Sequence, residues 1–502
     1  MTTDLLRRAR EHEKAHLAAV SPAALPHWHV TGGVGWINDP NGFSLYKGEY
    51  HLFFQYNPYD TVWDTMHWGH IKSRDFIRWE RLPAALAPDA PYDESGCFSG
   101  SGIELDDGRH LLIYTGVHKE QAPDGTEREF QTQCVAIGDG VDYEKYAGNP
   151  VITGADLPEG GSARDFRDPK IWREDGKFYL VAGDRCPDGS GAILLYESED
   201  ALHWHYAGTL AASSNRYGRM WECPDFFELD GTHVLLTSPQ EMRSEGLEFI
   251  DGNTTLCLIG QYDKARRRLL RQHEQTIDYG LDFYAPQTTL TADGRRVMIA
   301  WMQYWNSVDY RPPEKLPFFG QMTTPRELHF RDGRLIQNPV RELENYRGKA
   351  VRYTDLALDG EAALEGVEGR CLDLTVTIRP DAERGLCRDF TISLAKGGGY
   401  ETTIRYTPGA HTICVDRSRS GLAEQILNRR EFAVRDRGGV LKLRILLDRY
   451  SLELFVNDGE EAATFVLYAP QDADGISFAS SGALRLDLEQ YTLEFDDHGN
   501  AI

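Results

Sequence analysis

One arrangement of apolar and polar positions recurs five times between residues 28 and 335. Each copy has a polar or proline-containing opening, a run of about six residues, a glycine turn, and then an apolar, β-prone run. The copies read NDPNGFSLYKGEYHLFFQY, FSGSGIELDDGRHLLIYTG, RDPKIWREDGKFYLVAG, ECPDFFELDGTHVLLTS and YAPQTTLTADGRRVMIAWM. Their turn glycines are Gly48, Gly108, Gly176, Gly231 and Gly294, spaced 60, 68, 55 and 63 residues apart. Paired runs across Lys-Gly or Asp-Gly turns predict β-hairpins. A repeat of this length holds four short strands with loops, which is a propeller blade. A βαβ unit would need long helical periods between the strands, and these are missing.

Five blades predict a five-bladed β-propeller over residues 28–338. The first strand of each blade lies nearest the axis, so the five openings should converge there: Asp39, Ser99, Asp168, Glu222 and the turn Tyr284-Ala285-Pro286. After about residue 340 the pattern changes. Segments such as RCLDLTVTIRP, VLKLRILLD, YSLELFVNDG and GALRLDLEQYTLEF alternate apolar and polar residues at period two. That predicts an antiparallel β-sandwich within residues 339–502, with LIQNPVRELENYRGK as a link running along the propeller. Residues 1–27 form a separate N-terminal segment that begins as a short amphipathic helix. The fold class expected is all-β.

Composition narrows the partners. The 502 residues carry 78 Asp and Glu against 54 Lys and Arg, a formal charge of -24, which argues against nucleic acid or an anionic membrane and for a small ligand. Residues 1–20 hold acids and bases throughout, with no apolar segment of signal-peptide length, and nothing later approaches a membrane span, so a cytoplasmic location is expected. The eight cysteines show no CxxC pair, so reduced thiols are expected and a structural metal is not.

Three of the five openings are carboxylic acids. Glycosidic hydrolysis needs two carboxyls in different protonation states, and a third acid that holds sugar hydroxyls completes such a site. Asp39, before Pro40-Asn41-Gly42, reads by itself as a turn acid; its register with the other two makes it a site residue. Asp168 follows Arg167, whose charge should keep it ionised. Glu222 lies in WECPDFF, where partial desolvation suits a general acid; the alternative is a buried Glu paired with Arg216 or Arg219. Aromatic residues in or beside the openings, including Trp63, Phe98, Tyr284 and Trp301, offer faces for a sugar ring, and Asn38, Gln55, Ser99 and Arg167 offer polar contacts.

With these residues in place the chain resembles glycoside hydrolase family 32, the β-fructofuranosidases. The likeness rests on WINDPNG at 36–42, FFQYNP at 53–58, HWGH at 67–70, FSGS at 98–101, RDPK at 167–170, ECPD at 222–225, DFYAPQ at 282–287, TPREL at 324–328 and DRYSLELFVNDG at 448–459. The resemblance implies a retaining double displacement with Asp39 as nucleophile, Glu222 as acid and base, and Asp168 as transition-state stabiliser. It implies a fructose subsite lined by Asn38, Gln55, Trp63, Ser99 and Arg167, with no metal and no organic cofactor; the aromatic reading adds Phe98, Tyr284 and Trp301 as substrate-binding candidates. The substrate implied is sucrose or a short fructo-oligosaccharide. A homo-oligomer stays open, since a sandwich edge in this family can pack over a neighbouring propeller. Two departures stand out: Ile37 where the family commonly has Met, and Phe319-Gly320-Gln321-Met322 where it usually has a Gly-Trp pair. Sucrose 6-phosphate as substrate, fructose transfer or exo-fructanase action by the same site, and a catalytically silent sugar-binding propeller are the competing readings.

Overall fold

The five turn glycines fall where the repeat places them. In the computed structural model, which describes residues 3–121, 124–312 and 315–495, each joins the first and second strands of a sheet at φ between 78° and 86°, the left-handed region that favours glycine. Blade I comprises Gly35–Tyr46, Glu49–Asn57, His67–Ser73 and Trp79–Leu86. Blade II comprises Gly96–Glu104, His110–Gln121, Glu127–Gly138 and Tyr143–Lys145, and blade III Arg167–Glu174, Lys177–Arg185, Gly191–Ser198 and His205–Ala212. Blade IV is Met220–Leu229, Thr232–Gln240, Leu256–Asp263 and Arg268–Gln275; blade V is Tyr284–Leu290, Arg296–Trp301, Arg326–Arg331 and Arg334–Pro339. The first strands pack side by side around the axis, and the last meets the first.

A short strand closes the ring. Phe318–Phe319, inside the excursion of blade V, pairs parallel with Gly35 and Trp36 of blade I. Gly35 N donates to Pro317 O at 2.9 Å, and Met322 N to Val30 O at 2.8 Å. This is the segment Phe319-Gly320-Gln321-Met322 that departs from the family pattern. One sequence expectation needs correction here. Residues 335–339 of the supposed link are the outer strand of blade V, because Leu335 packs with Val234, Leu236 and Met298 between blades IV and V. Only the 3-10 turn Arg341–Tyr346 joins the domains.

The C-terminal strands form a β-sandwich whose layers share one long bent strand, Gly475–Leu493. Its first part pairs with Phe390–Gly397 and its second with Leu372–Pro380, so hydrogen bonding runs continuously from one layer to the other. The N-terminal helix Asp4–Leu17, with Thr3 as its cap, buries Leu6, Ala9 and Leu17. No helix of the described residues is long and apolar enough to cross a membrane. All eight cysteines are unbridged.

Propeller and sandwich meet through a buried charge network. Arg326, from TPREL, donates to Asp278 at 2.8 Å, Gln337 at 3.0 Å, Glu453 at 2.7 Å and Thr464 at 2.6 Å. His29 lies between Asp448 (2.8 Å) and Glu453 (3.0 Å), and despite its burial these carboxylates raise its pKa to about 9. Removing one member of such a network strands the others without water. Arg326→Met is therefore expected to destabilise the protein by about 3–5 kcal/mol in denaturant unfolding. A loss under about 1 kcal/mol would show that the network does not hold the domains together.

Four other buried histidines are held neutral. Desolvation lowers His51 and His67 to about 4, and His70 and His110 well below the ordinary value. Because the unfolded chain binds these protons more readily, the stability they leave intact at neutral pH is lost as pH falls below about 6.5. For His51 alone the loss on reaching pH 4 is on the order of 3 kcal/mol. The contribution of His29 has the opposite sign: it is fully present below about 6.5 and lost as pH rises through about 9. Urea midpoints across pH 4–8 should decline on the acid side; a flat profile would refute the assignment.

Candidate active site

All five inner strands break register with their neighbours at one level. The shifts fall between Ile37 and Pro40, Phe98 and Gly100, Arg167 and Lys170, Glu222 and Asp225, and Tyr284 and Gln287. A bulge releases residues from the ladder and re-aims their side chains. Asp168, Cys223 and Ala285 take left-handed φ values of 63°, 47° and 51° there. Such conformations are costly for non-glycine residues and cluster where function requires them. The inner strands all run the same way along the axis, so these bulges gather at one mouth.

That mouth holds a cavity of about 480 Å³. Asn38, Asp39, Gln55, Trp63, Phe98, Ser99, Arg167, Asp168 and Glu222 line it, as the sequence reading places them. Asp39 is fixed from two sides: Ser99 Oγ donates to Oδ2 at 2.7 Å and Asn38 Nδ2 to Oδ1 at 3.1 Å, while Trp36 Nε1 donates to Asn38 at 2.8 Å. Asp168 accepts from Cys223 N at 2.9 Å, and its own N–H donates to Thr115 Oγ1 at 2.9 Å. The Cys223 thiol sits 3.5 Å from Asp39 Oδ2 and 3.6 Å from Asp168 Oδ2, bridging the two acids.

One pairing differs from that expected. The Arg167 guanidinium lies on Glu222, with Nη2 2.8 Å and Nε 3.1 Å from Oε1, and only 3.9 Å from Asp168. Arg216 and Arg219 point elsewhere, to Glu274 and Glu241. Tyr284 OH donates to the other oxygen of Glu222 at 2.5 Å. Asp168 is consequently not held ionised by its neighbour. Burial, joined by the charges of Glu222 and Asp39, outweighs Arg167 and raises it to about 7; burial and the Glu222 charge also raise Asp39. One cation among three carboxyls leaves an excess of negative charge in a desolvated space, which is why Asp39 and Asp168 are both shifted upward.

Tyr284 and Trp301 do not line the cavity. Tyr284 acts from behind Glu222, and Trp301 is fully buried against Trp36 and Trp305, 5.8 and 4.9 Å away between ring centroids. Trp301 ends a central strand, where packing claims it; Trp305, just past that strand, reaches the cavity instead. Glu129, Gln131, Arg164, Asp165, Gln240 and Asn253 also line it. These come from strand ends and loops that share no motif with the repeat, so spacing gives them no signal. Cys223 had one, being adjacent to Glu222 in an opening already identified.

Among the described residues, one group is spaced to hold a cation: His27, Cys371 and Asp448, at the domain interface and outside the cavity. Asp448 already accepts from the backbone of His27, Trp28 and Arg449 and from the rings of His27 and His29. Protein donors satisfy it, so the group does not fit a metal site.

Comparison with known proteins agrees with this geometry. The family model for the glycosyl hydrolases family 32 N-terminal domain matches residues 29–339, and that for the family 32 C terminal matches 342–494. A raffinose invertase of Escherichia coli is 38% identical over 91% of this chain and 92% of its own length. A sucrose-6-phosphate hydrolase of Zymomonas mobilis is 34% identical over 91% of this chain and 88% of its own. The structure of a Bombyx mori β-fructofuranosidase, a variant of which was solved with sucrose, superposes with a TM-score of 0.82 at 32% identity, covering 97% of this chain and 98% of that one.

Proposed function

The chain belongs to the glycosyl hydrolases of family 32, and on that premise we propose that it releases terminal non-reducing β-D-fructofuranosyl residues from sucrose and short fructo-oligosaccharides by double displacement. The observation that carries the reading is the convergence of Asp39, Asp168 and Glu222, from three blades, on one cavity with a single close cation, Arg167. Asp39 attacks the anomeric carbon, and its bond to fructose forms as the glycosidic C–O bond breaks. Glu222 gives its proton to the departing oxygen and then takes one from the water that releases fructose. Asp168 holds fructose hydroxyls and meets the positive charge that develops on the ring.

Ser99 and Asn38 support Asp39 in an attacking orientation through their hydrogen bonds. Arg167 and Tyr284 hold the two oxygens of Glu222 in place. The exposed ring of Trp63, edge-on to Phe98 at 6.0 Å, forms the wall at the cavity mouth.

The lining favours an uncharged leaving group. Across the whole lining five acids, Asp39, Glu129, Asp165, Asp168 and Glu222, face two cations, Arg164 and Arg167, which opposes a phosphate dianion. We expect kcat/KM for sucrose and 1-kestose to exceed that for sucrose 6-phosphate by about tenfold. Steady-state comparison of sucrose, sucrose 6-phosphate, 1-kestose, raffinose and inulin tests this. A preference for the phosphorylated sugar would overturn the substrate reading but leave the reaction class standing.

A further inference from the structure

The three left-handed residues of the inner bulges, Asp168, Cys223 and Ala285, have no register partner in the second strand of their own blades. Each backbone N–H is taken up by a side chain of the preceding blade. Asp168 N donates to Thr115 Oγ1 of blade II at 2.9 Å, Cys223 N to Asp168 Oδ2 of blade III at 2.9 Å, and Ala285 N to Ser238 Oγ of blade IV at 3.0 Å. The first two bonds form a series. Thr115 fixes the main chain of Asp168, and the Asp168 carboxylate fixes the main chain next to Glu222.

Thr115 stands at the head of this series, on the second strand of blade II. Its hydroxyl accepts from Asp168 N, and its single proton has two acceptors in reach, Gln133 Oε1 at 3.0 Å and Ser99 O at 3.2 Å. Gln133, its partner across the strand pair, donates through Nε2 to Phe166 O at 2.9 Å. One pair of side chains thus holds the main chain on both sides of Arg167. Ser101 of the same blade grips the far end of the bulge, donating to Pro169 O at 2.7 Å and accepting from Ile171 N at 2.9 Å. Ser101, Thr115 and Gln133 are fully buried. Blade II therefore supplies, through side chains, the hydrogen bonds that the bulge removes from the ladder of blade III.

We propose that Thr115 is a positioning residue for the reaction: its hydroxyl holds Asp168 in the left-handed turn that aims the carboxylate at the charge developing on the fructosyl ring. The proposal rests on the role given to Asp168 above. Without the hydroxyl, a buried N–H loses its acceptor in a residue whose backbone is already unfavourable, and the turn relaxes. A carboxylate displaced by about 1 Å costs on the order of 10²-fold in rate. The loss should fall on kcat, because sugar hydroxyls keep their other partners in the cavity.

Thr115→Val keeps the branched shape and removes the hydroxyl, whereas Thr115→Ser keeps the hydroxyl and removes the methyl. With sucrose, the Val variant should lose about 30- to 100-fold in kcat with KM within about threefold of wild type, and the Ser variant should recover to within about threefold. Inhibition constants give a reading that altered packing alone would not move. Fructose presents hydroxyls without charge, and the imino sugar 2,5-dideoxy-2,5-imino-D-mannitol presents them on a positively charged ring. The Val variant should weaken the imino sugar about tenfold or more beyond its effect on fructose. Thr115→Ala, which lacks the acceptor and sets no methyl against the Asp168 N–H, serves if the Val variant does not fold. The proposal is overturned by a folded Val or Ala variant with kcat within about threefold of wild type, by equal losses in the Ser and Val variants, or by equal weakening of both inhibitors. A wild-type protein that cleaves no fructoside would overturn the reading of the reaction, and this proposal with it; an active wild type with any of those three results overturns this proposal alone.

Discussion

Asp39→Asn is expected to reduce kcat for sucrose by about 10⁴-fold or more, because a carboxamide cannot form the fructosyl ester. The same substitution should raise thermal stability. It preserves the shape that Ser99 and Asn38 grip and removes one negative charge from a desolvated group that contains Asp168 and Glu222. Loss of activity together with a gain in melting temperature is the signature of a strained functional group rather than a turn residue. Steady-state kinetics and a thermal melt on one preparation provide both readings. Activity above about one hundredth of wild type would remove Asp39 from the nucleophile role.

Glu222→Gln should show its effect through the leaving group. Against sucrose, whose departing alkoxide needs a proton, kcat/KM should fall by about 10³-fold. Against a nitrophenyl β-fructofuranoside, whose phenolate leaves without help, fructosyl-enzyme formation measured as a pre-steady-state burst should fall by less than about tenfold. Turnover of that substrate then stalls at hydrolysis, which added azide should restore by attacking in place of activated water. Equal losses on both substrates would assign Glu222 to holding the sugar. Tyr284 offers a milder check: with its hydrogen bond to Glu222 removed in Tyr284→Phe, the pH profile should move while the melting temperature changes little.

Most of the architecture was legible because a propeller writes its repeat into the chain. The five glycines mark hairpins, and each opening sits eight to ten residues before its glycine, so the sequence alone places Asp39, Asp168 and Glu222 on one axis. What the repeat cannot express is pairing across blades. Arg167 is next to Asp168 in sequence, but the bulge between Arg167 and Lys170 turns adjacent side chains in different directions, and the guanidinium crosses to blade IV. Trp301 was misjudged for a related reason: aromatic residues near the openings look alike in sequence, and only strand register separates one that packs from one that faces the cavity. Other parts of the lining were not visible at all, since Glu129, Arg164 and Asn253 lie on segments that differ from blade to blade.

Closure of the ring by Phe318–Phe319 sets an order of events during synthesis. The strand that carries Asp39 emerges early, but its first two residues, Gly35 and Trp36, lack their parallel partner until Phe319 has left the ribosome. Until then the nascent chain holds Asp39, Asp168 and Glu222 on blades with no complete circle to press them together. A closed ring that presses the acids of blades I, III and IV together requires blade V and this strand to have been made. A growing chain of this protein should remain inert toward sugar until nearly all of it has been made.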